Sequence, residues 1–280
     1  MQAPRHWRRF SRDRWALIGL GIVTTLTLLA LAAPWIAPAD PLRGSLLNSL
    51  RSPSREFWLG TDVQGRDLLA RLLFGARLSL AVGLISQTVA SVLGVGLGLA
   101  AGYYGRWVDG LLMRLADVTL AFPSLLLLIA IAAAVNPSLP VVFVVIGLVG
   151  WAGMARLVRG EVLSLRTREY VQAAVVTGQT NWWIIWREIL PNALSPVIVL
   201  ASLMVATAIL LESSLSFLGL GDPNLMSWGY MVGAGRTVIR QAWWITVFPG
   251  IAILVSVLAL NLIGEGLNDA LNPRLAKGGR

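Results

Sequence analysis

Six runs of about 20 mostly apolar residues divide this chain and constrain its fold more than any other feature. They cover Trp15 to Ile36, Leu78 to Tyr103, Leu111 to Val135, Leu139 to Leu157, Leu194 to Phe217 and Trp243 to Gly264. Coiled as a helix, a run of that length crosses the hydrocarbon core of a bilayer. Lipid offers an exposed backbone no hydrogen-bond partner, and the runs lack the alternation of a barrel strand, so each is predicted to be helical. Composition agrees: 56% of the 280 residues are apolar and 13% charged, against about 25% charged in ordinary soluble domains. The expected fold class is an all-α membrane protein with six transmembrane helices.

Several chemistries are excluded at once. Cysteine is absent, so no disulfide, iron–sulfur cluster or thiol nucleophile exists. The one histidine, His6, lies in a basic tail, which removes the usual metal-site and Ser-His-Asp arrangements. A formal charge of +9 raises nucleic acid as a partner, but that needs a basic patch on one face. Here the basic residues lie mostly between apolar runs, as in the loops of membrane proteins.

Those residues also set an orientation. With the amino terminus inside, the inner segments hold Arg5, Arg8, Arg9, Arg12, Arg14, Arg106, Arg114, Arg156, Arg159, Arg166, Arg168, Arg187, Arg274, Lys277 and Arg280. The outer segments hold eight, of which Arg43, Arg51, Arg55, Arg66, Arg71 and Arg77 fall around one loop and Arg236 and Arg240 in another. Both termini are therefore expected in the cytoplasm. The first run resembles a signal peptide in its basic flank, but it exceeds the 7–15 apolar residues of a signal core, which favours an uncleaved anchor.

Between the first two runs, the segment 38–76 has its own pattern. Thr61 or Asp62 can cap a helix after Gly60, and Leu68, Leu69, Leu72 and Leu73 share one face. Such a helix either lies along the outer interface or extends the second span. Within that span, Gly94, Gly96, Gly98 and Gly102 lack the spacing of a dinucleotide fingerprint. Small residues four apart instead let a neighbouring helix approach closely. Three ionisable residues in the apolar runs are candidate pathway or gate residues, since such groups usually face protein or water. Arg114 and Asp117, three apart, can instead pair on one helix face. Glu212, beside Ser213 and Ser214, can instead serve a buried hydrogen bond.

The most informative segment joins the fourth and fifth runs, 158–192. From Arg168 it reads REYVQAAVVTGQTNWWIIWREILPN. Residues 167–177 suit a helix that Gly178 can end in the left-handed conformation. Thr180 or Asn181 can cap a second helix, and Pro191 sits where the chain would turn back into the membrane. Trp182, Trp183 and Trp186 suit the headgroup layer. The expectation is a helix–turn–helix on the inner surface, with Ala173, Ala174 and Gly178 as a small docking face or, with no partner, a plain interfacial hairpin.

This segment resembles the EAA loop of ABC-importer permeases, E-A-A-x-x-x-G followed by I-x-L-P. Gln172, Ala173, Ala174, Gly178, Leu190 and Pro191 match in register; Gln172 replaces the glutamate, and Glu188 stands where the first isoleucine is expected. Further stretches extend the likeness over nearly the whole chain: GTDVQGRDLLARLLFGARLSL at 60–80, ESSLSFLGLG at 212–221, FPG at 248–250 and NLIGEGLNDALNPR at 261–274. They narrow it to C-type permeases of the dipeptide, oligopeptide and nickel family.

The resemblance implies a type I ABC-importer permease fold. A basic tail (1–14), a first helix (15–37) and an outer loop with an interfacial helix (38–76) precede a five-helix permease core (77–266), and a second tail (267–280) follows. It implies as partners a second, homologous permease, two cytoplasmic ABC ATPases and an extracytoplasmic solute-binding protein, besides lipid and without nucleic acid. The six motif residues are then ATPase-coupling residues, and the location is a bacterial inner membrane. No cofactor is expected on this chain, ATP and magnesium being held by the ATPases. In agreement, the phosphate-cradling G-x-x-x-x-G-K-[ST] is missing, and Lys277, the sole lysine, is followed by two glycines. The expected role is a non-catalytic subunit of an ATP-driven peptide importer. Nickel is the alternative cargo, and a secondary transporter or a membrane enzyme are alternatives of other classes.

Overall fold

Asp13 caps the helix of the first apolar run, its carboxylate accepting the Trp15 and Ala16 amide N–H groups at 2.9 and 3.3 Å. The computed structural model describes residues 9–135, 138–222 and 226–271. The helices are α1 (Arg14–Ile36), α2 (Leu68–Tyr104), α3 (Arg106–Ala121), α4 (Ser124–Ala134), α5 (Leu139–Leu165), α6 (Glu169–Val176), α7 (Asn181–Phe217), α8 (Trp228–Gly235) and α9 (Trp244–Leu271). No sheet occurs among the described residues; one isolated bridge joins Thr61 and Asp67. The basic residues Arg5, Arg8, Arg274, Lys277 and Arg280, and His6, lie outside the described residues.

Five helices are long and apolar enough to cross a membrane, namely α1, α2, α5, α7 and α9. The third expected span is not one helix. It breaks into α3 and α4, bent by 91°. Pro123 is the cause: its ring disfavours the helical conformation for the residue before it, and Phe122 takes φ −89°, ψ 137°. Six crossings result only if this bent pair counts as one.

Two further expectations change. Of the two placements open to the helix in segment 38–76, an interfacial helix or an extension of the second span, the structure has the extension: α2 runs unbroken for 37 residues from Leu68. It is capped by neither Thr61 nor Asp62 but by Asp67, which accepts the Ala70 N–H at 2.7 Å. Gly60 and Gly65, at φ +80° and +68°, keep the preceding chain out of the helical region. Thr61 and Asp62 instead build a turn. Asp62 accepts the Gln64 and Arg66 N–H groups and the Arg66 guanidinium at 2.7 Å, with Arg71 at 3.4 Å. The Trp244 indole N–H donates to the Thr61 carbonyl at 3.1 Å and ties the turn to α9. Burial pushes the Asp67 carboxyl above its ordinary range, opposed by the Ala70 and Leu69 N–H groups.

At the opposite rim the chain does not turn back at Pro191. Helix α7 passes through it, widening to π geometry over Ile184–Ile189. Proline has no N–H to give, and its ring crowds the carbonyl one turn earlier. The wide turn pairs the Leu190 N–H with the Ile185 carbonyl, and the Asn192 side chain donates to the Glu188 carbonyl at 2.7 Å. The backbone stays satisfied without a break.

Helices α2 and α5 form the tightest seam. A Cβ built at Gly94 would stand 2.5 Å from that of Met154, one at Gly98 2.6 Å from the Ala155 carbonyl oxygen, and one at Gly102 2.7 Å from the Val162 Cβ. Gly96 faces open space. The glycines four apart are thus packing residues. Gly98→Val is expected to destabilise the fold by roughly 1–3 kcal/mol, whereas Gly96→Val stays within about 1 kcal/mol. Thermal unfolding of the two purified variants measures the difference, and equal losses would contradict the seam.

Candidate coupling loop and polar sites

The chain between α5 and α7 is built as its residues suggest. Gly178 ends α6 at φ +76°; its N–H reaches the Val175 carbonyl at 3.0 Å, and the Gln179 N–H reaches Ala174 at 3.1 Å. This is the paired closure of a Schellman turn. The Thr180 hydroxyl then accepts the Trp183 N–H at 3.3 Å and starts α7.

The six motif residues divide between two directions. Ala174, with Val171, packs inward on Leu99, Met154, Val158, Val162, Ile184 and Ile189, and half-buried Leu190 joins them. Gln172, Ala173, Gly178 and Pro191 are exposed. A Cβ at Gly178 would meet nothing within 4 Å. Gln172 donates from its amide to the Arg166 carbonyl at the end of α5, 3.0 Å away. A glutamate carboxylate has no proton to donate there, which gives the departure from the motif a local use.

Sequence reasoning missed Val175 and Val176, 53% and 87% exposed, which extend the outward face. It also grouped three tryptophans that separate: Trp182 and Trp186 stand outside with ring centroids 5.1 Å apart, while Trp183 is half-buried against the inner cluster. The spacing held the signal, since residues four apart share a helix face and an adjacent residue does not. The loop is tied to the body by the Tyr103 hydroxyl donating to Asn181 at 2.9 Å, and by Arg166, which donates to the Gly102 carbonyl at 3.0 Å and lies over the Tyr103 ring.

The candidate pathway residues do not form one site. Asp117 pairs across helices with Arg156 of α5 at 2.6 Å rather than with Arg114. Arg114 is exposed and takes no part in the α3–α5 ion pairs. The second such pair is Asp109 with Arg159, bidentate at 2.5 and 2.7 Å. Glu212 lies elsewhere, near the end of α7. It is 4% exposed, and Ser216 donates to its Oε1 at 2.7 Å.

A family profile described as "Binding-protein-dependent transport system inner membrane component" matches residues 94–277, and one for the N-terminal transmembrane domain of oligopeptide transport permease C matches residues 4–53. The dipeptide transport system permease protein DppC of Alkalihalophilus pseudofirmus is 45% identical over 270 residues, 96% of this chain and 89% of its own. The di/tripeptide transport system permease protein DppC of Pseudomonas aeruginosa is 43% identical over 276 residues, covering 96% and 91%. The glutathione transport system permease protein GsiD of Pectobacterium atrosepticum is 40% identical over 271 residues, covering 96% and 90%. A solved chain of the MetNI methionine ABC transporter in inward-facing conformations superposes with a TM-score of 0.61 at 17% identity, covering 73% of this chain and 98% of that one. At that identity the likeness is one of fold.

Fold and relatives together define a multi-pass membrane permease subunit of a bacterial ABC importer. The chain belongs to the binding-protein-dependent transport system inner membrane component family.

The interhelical pairs carry a test. Asp109→Arg or Arg159→Asp alone should lower stability, and the double swap should recover about 1 kcal/mol of coupling. Denaturant unfolding of the four proteins measures it, and additive losses would show that the pair contributes nothing.

Proposed function

We propose that this chain forms half of the translocation pathway of an ATP-driven importer of di- and oligopeptides. Its other half is a second, homologous permease; two cytoplasmic ATPases drive it, and an extracytoplasmic binding protein delivers the cargo. The relatives' names support a peptide over nickel. ATP and magnesium stay on the ATPases, both termini face the cytoplasm, and so does the loop that carries α6.

The observation that carries the reading is the outward face of Ala173, Val175, Val176 and Gly178 on a helix braced against α7. Small and apolar, it suits a groove on a partner. Nucleotide acts only by favouring one state of the ATPase pair over the other. Closure of the ATPases shifts α6, and the inward-packed Val171 and Ala174 pass the shift to α7. Since α7 has no break at Pro191, the displacement enters the membrane along one rod. Arg114, Asp117 and Glu212 are then read as structural or gating groups at the flanks, rather than a cargo site.

Gly178→Trp tests the docking. A Cβ at Gly178 meets nothing within 4 Å among the described residues, and the left-handed backbone costs a residue with a side chain about 1–2 kcal/mol. Gly178→Asn, which tolerates that backbone, is the control. In the assembled complex Gly178→Trp should abolish ATPase co-purification and uptake of a labelled dipeptide, and Gly178→Asn should retain most of both. Normal assembly and uptake with Gly178→Trp would place the docking face elsewhere. Uptake of Ni2+ and not of dipeptide by the unaltered complex would overturn the cargo.

Orientation has its own measurement in this cysteine-free chain. A cysteine at Thr180 should be labelled only by reagents that cross the membrane, and one at exposed Thr237 by impermeant reagents from outside. The reverse pattern would invert the topology.

A further inference from the structure

The coupling mechanism makes no use of a cavity of about 200 Å³ bounded by α2, α5, α7 and the α3–α4 corner. It lies near the middle of the apolar runs of α2, α5 and α7, and none of its lining residues is charged. Four of them are polar. Ser86 is fully buried, and its hydroxyl has no hydrogen-bond partner among the described residues. The adjacent Gln87 is 5% exposed and uses one end of its amide on the Ser91 hydroxyl at 2.9 Å, while the other end is bonded to no described residue. Ser124 and Thr207 are exposed, and their hydroxyls are bonded to no described residue either. The remaining walls are apolar side chains and two glycines, Gly150 and Gly153.

Polar groups held at this depth without partners are costly, since lipid returns no hydrogen bond. A charged ligand finds no countercharge here, and an acyl chain would leave the four groups unpaired. Water alone would bond them but would leave the apolar walls wet. A neutral amide or hydroxyl on an apolar stem suits both. Hydroxyls and carboxamides donate and accept, and mostly apolar walls with a few convergent polar groups are how small-ligand sites are built. The volume admits a single side chain, being near the roughly 150 Å³ of an engineered cavity that takes benzene.

We infer that this cavity is a cargo subsite, which receives one neutral, hydrogen-bonding side chain of the passing peptide, of the glutamine or threonine class. The stem lies against the apolar walls and the tip bonds Ser86 and Gln87. The two exposed hydroxyls, of Ser124 and Thr207, then meet the backbone amide of the same residue. The subsite rests on the peptide-importer reading above and adds to it a preference among peptides that this subunit itself imposes.

Gly153 supplies the main variant. It lines the cavity, and a Cβ built there meets nothing within 4 Å, so Gly153→Leu fills space without a clash at its first carbon. The full complex with its binding protein is reconstituted in vesicles, and uptake of labelled Gly-Gly, Ala-Gln and Ala-Met is compared. The binding protein is the same in every arm, so a changed ratio between peptides belongs to the permease. Gly153→Leu should keep or raise the melting temperature and lower the ratio of Ala-Gln to Gly-Gly uptake about tenfold or more. Ser86→Ala, which deletes a hydrogen bond and little volume, should lower the ratio of Ala-Gln to Ala-Met about threefold. If Gly153→Leu lowers all three peptides alike, or none, the subsite is overturned. If that variant does not assemble, an unchanged ratio of Ala-Gln to Ala-Met in Ser86→Ala overturns it. Uptake of no peptide by the unaltered complex would instead overturn the importer reading on which the subsite rests.

Discussion

In hydrocarbon a backbone amide has no water to turn to, and this chain is helical wherever it must avoid that deficit. The consequence is clearest at its prolines. Pro34, Pro196 and Pro249 all stay inside helices. Pro191 would free a carbonyl at the membrane edge, and there the widened turn and the Asn192 amide take up the slack. At Pro123 the chain bends through 91° instead, and Phe122 is left 56% exposed at the corner. One residue type thus produces a through-going rod in one place and a corner in another. At Pro191 nearby groups re-pair the backbone; at Pro123 the preceding residue leaves the helical region.

That difference decides which parts of the molecule are stiff. Both α2 and α7 are 37 residues long, about 55 Å at 1.5 Å per residue, well beyond the ~30 Å hydrocarbon core. The last turn of α2 and the start of α7 meet at one rim, where Tyr103 bonds Asn181. The start of α2 is held by the Asp62 turn, and the start of α7 carries α6. With Tyr103 bonded to Asn181 and Arg166 to Gly102, the end of α2 also braces the loop. In the proposed role a push on α6 meets a two-rod frame and not a hinge.

Much of this was legible beforehand, for reasons that are local. The Schellman turn at Gly178, the Thr180 cap and the glycine seam all follow from residues within a few positions of one another. The errors arose where the deciding partner is remote in sequence. Asp117 has Arg114 three residues away, yet bonds Arg156, 39 positions on, because α5 continues to Leu165 and brings its arginines alongside α3. Pro191 reads as a stop because soluble helices seldom pass a proline, whereas re-pairing is far more valuable in lipid. Trp183 was misplaced for a different reason: composition suggested the headgroup layer for all three rings, and helical periodicity, which separates them, was the better guide.

The seams also differ in what it costs to move them. Gly94, Gly98 and Gly102 bring α2 and α5 so close that even an added Cβ would collide, so sliding one past the other sacrifices close packing. By contrast α3 is joined to α5 through two ion pairs, the partly buried Asp109–Arg159 and Asp117–Arg156, the latter more than half exposed on both sides. Pairs exposed to that degree contribute about 0–1 kcal/mol, because water replaces each partner almost as well. Helix α3 buries a single residue, Ala116, and ends at the Pro123 corner. Between a seam that resists sliding and one that exchanges cheaply with solvent, displacement falls on the second. In the proposed role, the α3–α4 elbow is therefore where the fold yields first when α7 is pushed, while α2 and α5 move as one body.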